Sequence, residues 1–244
     1  MTHRPAAAPA VLAAVLALVA LLTGCTASSP SPAPTPSETE RPVTQEESER
    51  LAVARFRVYE QQRVRLSATV PVDGQVLHLD GRADMRAHEA TAAVDAGDGR
   101  WALLQWTLSG KAVQEVAAEP DLDAALPDGE WTTAPLVADD PLDSALAFVL
   151  NLASDRPENP LLLRQNGALL IGGDEVDRVE VDVYVAPGQD ERVNRLVTYA
   201  VDRDGLLRRV VAQTGGSEPL VVVLEPDASE AVIPLVPDLA TPAG

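Results

Sequence analysis

From residue 63 onward the chain alternates with a period of two. Val64, Leu66, Ala68 and Val70 take one side, and Arg63, Arg65, Ser67 and Thr69 the other. Side chains on a strand point to opposite faces in turn, so this pattern predicts a strand buried on one face only. Asp73-Gly74 is a turn signal, and Gln75 to Ala83 returns with Leu77 and Leu79 on one side. Glu89–Asp95, Arg100–Leu108 and Lys111–Ala118 read as three more strands, separated by Asp95-Ala96-Gly97-Asp98-Gly99 and Ser109-Gly110. Turns this short between strands predict antiparallel neighbours. The same alternation recurs later, with Val179, Val181, Val183 and Val185 set against Arg178, Glu180, Asp182 and Tyr184. Arg195–Asp202 and Leu206–Thr214 predict a hairpin around Asp202-Arg203-Asp204-Gly205. Leu220–Leu224 reads as a buried strand, and Ala231–Leu235 as a last strand closing the sheet.

Helical periods interrupt this pattern twice. Thr44-Gln45-Glu46-Glu47 has the spacing of a capping box, and Leu51, Ala54 and Val58, with Phe56 and Tyr59, give the following helix a buried side to about Glu60. In mid-chain, Asp140 suits an N-cap and Pro141 the first helical position. Leu142, Ala145, Leu146, Val149, Leu152 and Ala153 then follow helical spacing, and Asn159-Pro160 starts a shorter helix that stops near Gly167. A helix, five strands, helices and further strands predict an α+β domain: a curved antiparallel sheet, or half-barrel, with helices packed on its concave face.

The residues before this domain read as an address and a tether. Residues 1–24 have the form of a secretory signal, with His3 and Arg4 ahead of an apolar run from Ala10 to Leu22. As a helix at ~1.5 Å per residue that run reaches only about 20 Å, short of a ~30 Å hydrocarbon core. Leu22-Thr23-Gly24-Cys25 closes the run and resembles the lipobox of bacterial lipoproteins. The resemblance implies cleavage before Cys25 and a diacylglycerol on its sulfur, the alternative being a chance cysteine after a secretory segment. Cys25 is the only cysteine in the chain. Residues 25–43 are dense in Ser, Thr and Pro and predict an extended spacer, leaving residues 44–244 as one folded domain with a short C-terminal tail.

Composition narrows the function. The chain has 244 residues with 19 Lys+Arg against 37 Asp+Glu, a formal charge of −18. A surface this acidic repels a phosphate backbone, so nucleic acid is not an expected partner. With one cysteine there is no internal disulfide and no paired-cysteine redox or zinc motif.

The order of parts resembles the LppX/LprG-type actinobacterial envelope lipoproteins, whose fold is similar to the lipoprotein carrier LolA. The resemblance rests on the lipobox with its Ser/Pro tether, and on the first helix leading into Arg63-Val64-Arg65-Leu66-Ser67-Ala68. It rests also on Asp139-Asp140-Pro141-Leu142-Asp143 and on the strand–turn–strand from Tyr199 to Arg209. It implies a lipid-anchored protein on the extracytoplasmic face of the cell membrane, carrying or placing acylated lipid in an apolar cavity. Trp101, Leu142, Ala145, Leu146 and Val149 are the expected cavity lining. The alternative is an interaction or accessory lipoprotein without a ligand cavity, whose protein partner the sequence does not name.

No catalytic constellation emerges, and neither an enzyme nor a cofactor is expected. His78 and His88 are the imidazoles outside the leader, with Asp80, Asp84 and Glu89 nearby; exposed strand residues account for them better than a metal site. The acidic turns lack the spacing of a calcium loop. Gly172-Gly173-Asp174-Glu175 superficially resembles the GGDEF signature of diguanylate cyclases, but Val176 follows where that signature has Phe, and the segment reads as a turn. Trp101 and Trp106 lie on opposite faces of one strand, so one is expected in the core and the other free to meet a ligand or membrane.

Overall fold

The computed structural model describes residues 40–95, 97, 99–185, 197–213, 218–229 and 232–240. The leader, Cys25 and nearly all of the spacer lie outside these residues, as do Arg195, Leu196, Thr214 and Ala231 from the predicted strands. The described residues all belong to one compact unit, Ser37–Gly244.

Twelve strands form one antiparallel sheet in the order β1-β8-β9-β10-β11-β12-β2-β3-β4-β5-β6-β7. The chain starts at one edge with β1 (Arg41–Pro42), and α1 (Gln45–Gln61) carries it to mid-sheet. A meander then runs outward through β2 (Arg63–Val72), β3 (Gln75–Asp84), β4 (Glu89–Asp95), β5 (Trp101–Thr107), β6 (Gly110–Val116) and β7 (Thr132–Pro135). Helices α2 (Pro141–Leu150) and α3 (Pro160–Gln165) cross back. A second meander, β8 (Leu169–Val176), β9 (Val179–Val185), β10 (Val197–Asp202), β11 (Leu207–Ala212) and β12 (Leu220–Pro226), returns to pair with β2. Helix α1 touches β10, β11 and β2, while α2 touches β2 and β5. The sheet therefore curls around them and remains an open half-barrel, with β1 and β7 as its edges.

The helices begin where local chemistry starts them. Thr44 Oγ1 accepts from the Glu47 amide (3.3 Å), and Glu47 returns a carboxylate oxygen to the Thr44 amide (2.8 Å). Asp140 caps α2 through the Asp143 amide (3.0 Å), and Asn159 caps α3 through the amides of Leu161 and Leu162. The main core lies on the helix side, where Val64, Leu66, Ala68 and Val70 meet Leu51, Ala54, Val58, Leu146 and Val149. Gly81 pairs with Leu66 in this layer, and a Cβ there would lie 2.3 Å from the Thr91 carbonyl oxygen.

Three expectations are corrected. Gly172-Gly173-Asp174-Glu175 is not a turn: it lies within β8 and pairs with β9 through a register shift between Leu170 and Gly172. Glycine and acidic residues are poor strand formers, but the paired partner, Val179–Val185, is a strong one and sets the conformation. Residues 232–235 form no strand and the sheet is not closed; Ile233 is buried there while Val232 stands exposed. Finally, Arg41–Pro42, at the end of the stretch read as spacer, pairs with Leu169 and Leu170, and Val43 is buried.

Arg41 also hydrogen-bonds both carboxylate oxygens of Glu47 (2.6 and 2.8 Å), tying the edge strand to the first turn of α1. The Arg41 guanidinium draws the Glu47 carboxyl down from 4.5 to about 2. Because the folded value lies below the unfolded one, this contribution is complete above pH ~4.5 and is lost as the pH falls toward ~2. Thermal melts across that window are expected to show a steeper loss of stability for the natural chain than for Glu47→Gln; parallel curves would refute the assignment.

Candidate functional site

The expected lining residues divide between the two faces of the sheet. Ala145, Leu146 and Val149 share the inner face of α2 and are buried in the main core, with Leu142 half-buried beside it. Trp101 does not join them. In β5 it is Trp106 that points toward α2, fully buried, with its indole N–H donating to the Leu146 carbonyl (3.1 Å). Trp101, five residues earlier, therefore projects from the convex face, directly across from Val116.

That convex face carries a site the sequence reading overlooked. Between β6 and β7 the chain makes a 15-residue excursion, 117–131, with no regular element of its own. Loops of this length in compact domains are uncommon and often functional. It lies over β4–β6 and, with Pro234, borders a half-open pocket of about 160 Å³. Leu103, Val116, Leu122, Leu126, Pro127 and Pro234 supply its apolar walls, with Thr91 on the floor and Asp121 at the rim.

Three polar side chains on the convex face hold the two covering segments down. Arg82 of β3 donates to the Leu122 carbonyl and pairs with Asp123 (2.8 Å), and its hydrogen bond and charge lower the Asp123 pKa. Gln105 of β5 uses both ends of its amide: Nε2 donates to the Pro234 carbonyl (2.6 Å) and Oε1 accepts from the Val236 amide (2.9 Å). Gln114 of β6 donates to the Asp128 carbonyl (3.2 Å), and its own carbonyl oxygen is buried without a hydrogen-bond partner among the described residues. Gly129 lets the loop pass this amide, since a Cβ there would sit 2.1 Å from Gln114 Nε2. The sequence signal was available: Gln105 and Gln114 occupy alternating strand positions that should face solvent, and the connection 117–131 carries Leu122, Leu126 and Trp131 between its acidic residues.

His88 Nδ1 lies 3.1 Å from the Leu150 carbonyl at the end of α2, and His78 is exposed on β3. Among the described residues no group of three or more His, Cys, Asp or Glu could hold a metal ion. Asp202 shapes its hairpin turn by accepting from the amides of Asp204 and Leu206 (both 2.9 Å) and pairing with Arg208 (2.8 Å). Arg50 of α1 pairs with Asp182 (2.6 Å), which also accepts from the Tyr184 hydroxyl (3.1 Å), and burial raises the Tyr184 pKa. No described helix is long and apolar enough to cross a membrane.

No protein-family model and no curated protein matches the chain. Among solved structures it is similar to LprF from Mycobacterium bovis, at 11% identity over 84% of this chain and 100% of that one, with a TM-score of 0.48. It is similar also to the lipoprotein LppX from Mycobacterium tuberculosis, at 11% identity over 78% and 98% of the two chains, with a TM-score of 0.47. These are likenesses of fold.

Proposed function

We propose that this chain is a non-enzymatic lipoprotein, anchored through Cys25 to the extracytoplasmic face of the cell membrane, that binds the end of one apolar chain in its convex pocket. The anchor is supported by Leu22-Thr23-Gly24-Cys25 and by the use of the only cysteine at the position lipidation requires. Two or more acyl chains on that residue give stable attachment where one is marginal. The observation that carries the binding reading is the apolar cavity of about 160 Å³ beneath residues 117–131.

Its volume limits the ligand. A cavity of ~150 Å³ holds one benzene, so this pocket takes about six carbons of a chain and not a whole acylated lipid. At ~0.8 kcal/mol per methylene the gross gain is ~5 kcal/mol, and the entropy cost of holding the ligand makes the dissociation constant no tighter than roughly 0.1–1 mM. Binding this weak suits brief capture and release. The helix-side layer, where Leu146 and Val149 already fill the core, is the poorer candidate.

An NMR titration of the chain with hexanoate tests the site. Shifts confined to residues 103, 116, 120–127 and 234, saturating in the millimolar range, are expected. Ala125→Trp, at an exposed lining position, is expected to abolish them. Shifts centred on α2, or none at all, would refute the pocket and favour an interaction lipoprotein. An intact mass lacking the lipid increment on Cys25 would refute the anchor.

A further inference from the structure

We infer that Leu161 and Leu162 on α3 rest in the interface of the bilayer that holds the lipid anchor; this builds on the lipidation of Cys25 proposed above. The two leucines are consecutive and 54% and 51% exposed, while Leu163 beside them is buried and holds the helix to the domain. Helix α3 packs on α1, which leaves its outer side open.

The path of the chain places this pair near the tether. The Val43 amide donates to the Ala168 carbonyl (3.2 Å), and the Ala168 amide donates to the Leu163 carbonyl (2.9 Å). The spacer thus joins the folded unit two hydrogen bonds from α3, at the edge where β1 pairs with Leu169 and Leu170. Sixteen peptide units separate Cys25 from Arg41. At no more than ~3.6 Å each, they keep this corner within about 58 Å of the anchored residue, whatever their conformation. A second contact made on a short tether is intramolecular, with an effective concentration in the mM range, so a small apolar contact becomes occupied.

Charge favours a bilayer over a protein partner here. The chain is acidic overall, yet Arg164 on α3 and Arg156 just before it are exposed and have no ion-pair partner among the described residues. Asp155 is the exposed acid of this stretch, and Glu158 is paired with Arg55 (3.5 Å). Leucines flanked by arginine are the composition of an interfacial contact with anionic lipid.

Lipidation consumes the only native thiol, so Leu162→Cys creates a single labelling site. The full lipidated chain carrying an environment-sensitive fluorophore at 162 would be reconstituted in phosphatidylethanolamine/phosphatidylglycerol vesicles, with Val232→Cys as an exposed control. Brominated lipids are expected to quench the label at 162 about two-fold and leave that at 232 unchanged, since interfacial contacts sink ~5–10 Å into the headgroup region. Equal, weak quenching at both sites would overturn the docking and point to a soluble partner for the leucines. The intact mass is read in parallel: an unmodified Cys25 would overturn the anchor and the docking that rests on it, whereas a lipidated Cys25 with an unquenched label would overturn the docking alone.

Discussion

Trp106→Ala is expected to lower folding stability by about 3–5 kcal/mol, the range for deleting a fully buried tryptophan. Trp106 has no exposed surface and stands on β5 between Ala90 of β4 and Lys111 of β6. Its neighbours Ala83, Ala90 and Ala92 are too small to fill the space it would leave, so collapse around the deletion is limited. The variant also removes the indole N–H that reaches the Leu146 carbonyl and fastens α2 to the sheet. Trp106→Phe separates the two effects: it keeps much of the volume, loses the hydrogen bond, and is expected to cost well under half as much. Urea denaturation with both variants measures the difference, and a loss below ~1 kcal/mol for Trp106→Ala would show that this packing does not hold α2 in place.

Asp143→Ala is the second large effect, at about 3–5 kcal/mol. The Asp143 carboxylate is almost fully buried and accepts from the Lys111 ammonium and from the Val137 amide (2.9 Å). Lys111 is the chain's only lysine, and its side chain is 20% exposed. Truncating Asp143 strands that ammonium in a poorly solvated site, and leaving one buried charge costs more than the pair itself contributes. Exposure of the lysine places the expected loss near the lower end of the range. The double variant Asp143→Leu/Lys111→Met removes both charges and is expected to recover most of the stability. A double-mutant cycle without coupling between the two positions would refute the pairing.

These two contacts fasten α2 to β5 and β6 within one turn, at Asp143 and Leu146, which bears on where a ligand could enter. A carrier that opened between sheet and helices would have to break the indole hydrogen bond or separate the Lys111–Asp143 pair. The convex pocket is covered by two surface segments, 117–131 held through Arg82 and Gln114 and 232–236 held through Gln105, so ligand exchange there would leave the main core intact.

Much of the fold was legible because its causes are local. Thr44, Asp140 and Asn159 announce their helices through bonds to amides two or three residues away. The alternation in β2 states which side faces the core, whereas in β9 Tyr184 lies in the main core and Val181 and Val183 pack in a separate cluster on the opposite face. The charge and the lone cysteine bear on compartment and partners without reference to any tertiary contact. What the sequence left open depends on partners distant in the chain. Gly172–Glu175 is a strand because β9 stands beside it, and Arg41–Pro42 pairs because the chain returns at Leu169 and Leu170. Parity along β5 separates Trp101 from Trp106, but only the position of α2 decides which of them lies inside. Gln105 reads locally as a solvent-facing polar residue, yet its amide holds a segment about 130 residues further on, and only the folded sheet brings the two together. The convex pocket is of this second kind: its walls come from β4, β5, β6, the 117–131 excursion and residue 234, and no local pattern joins them.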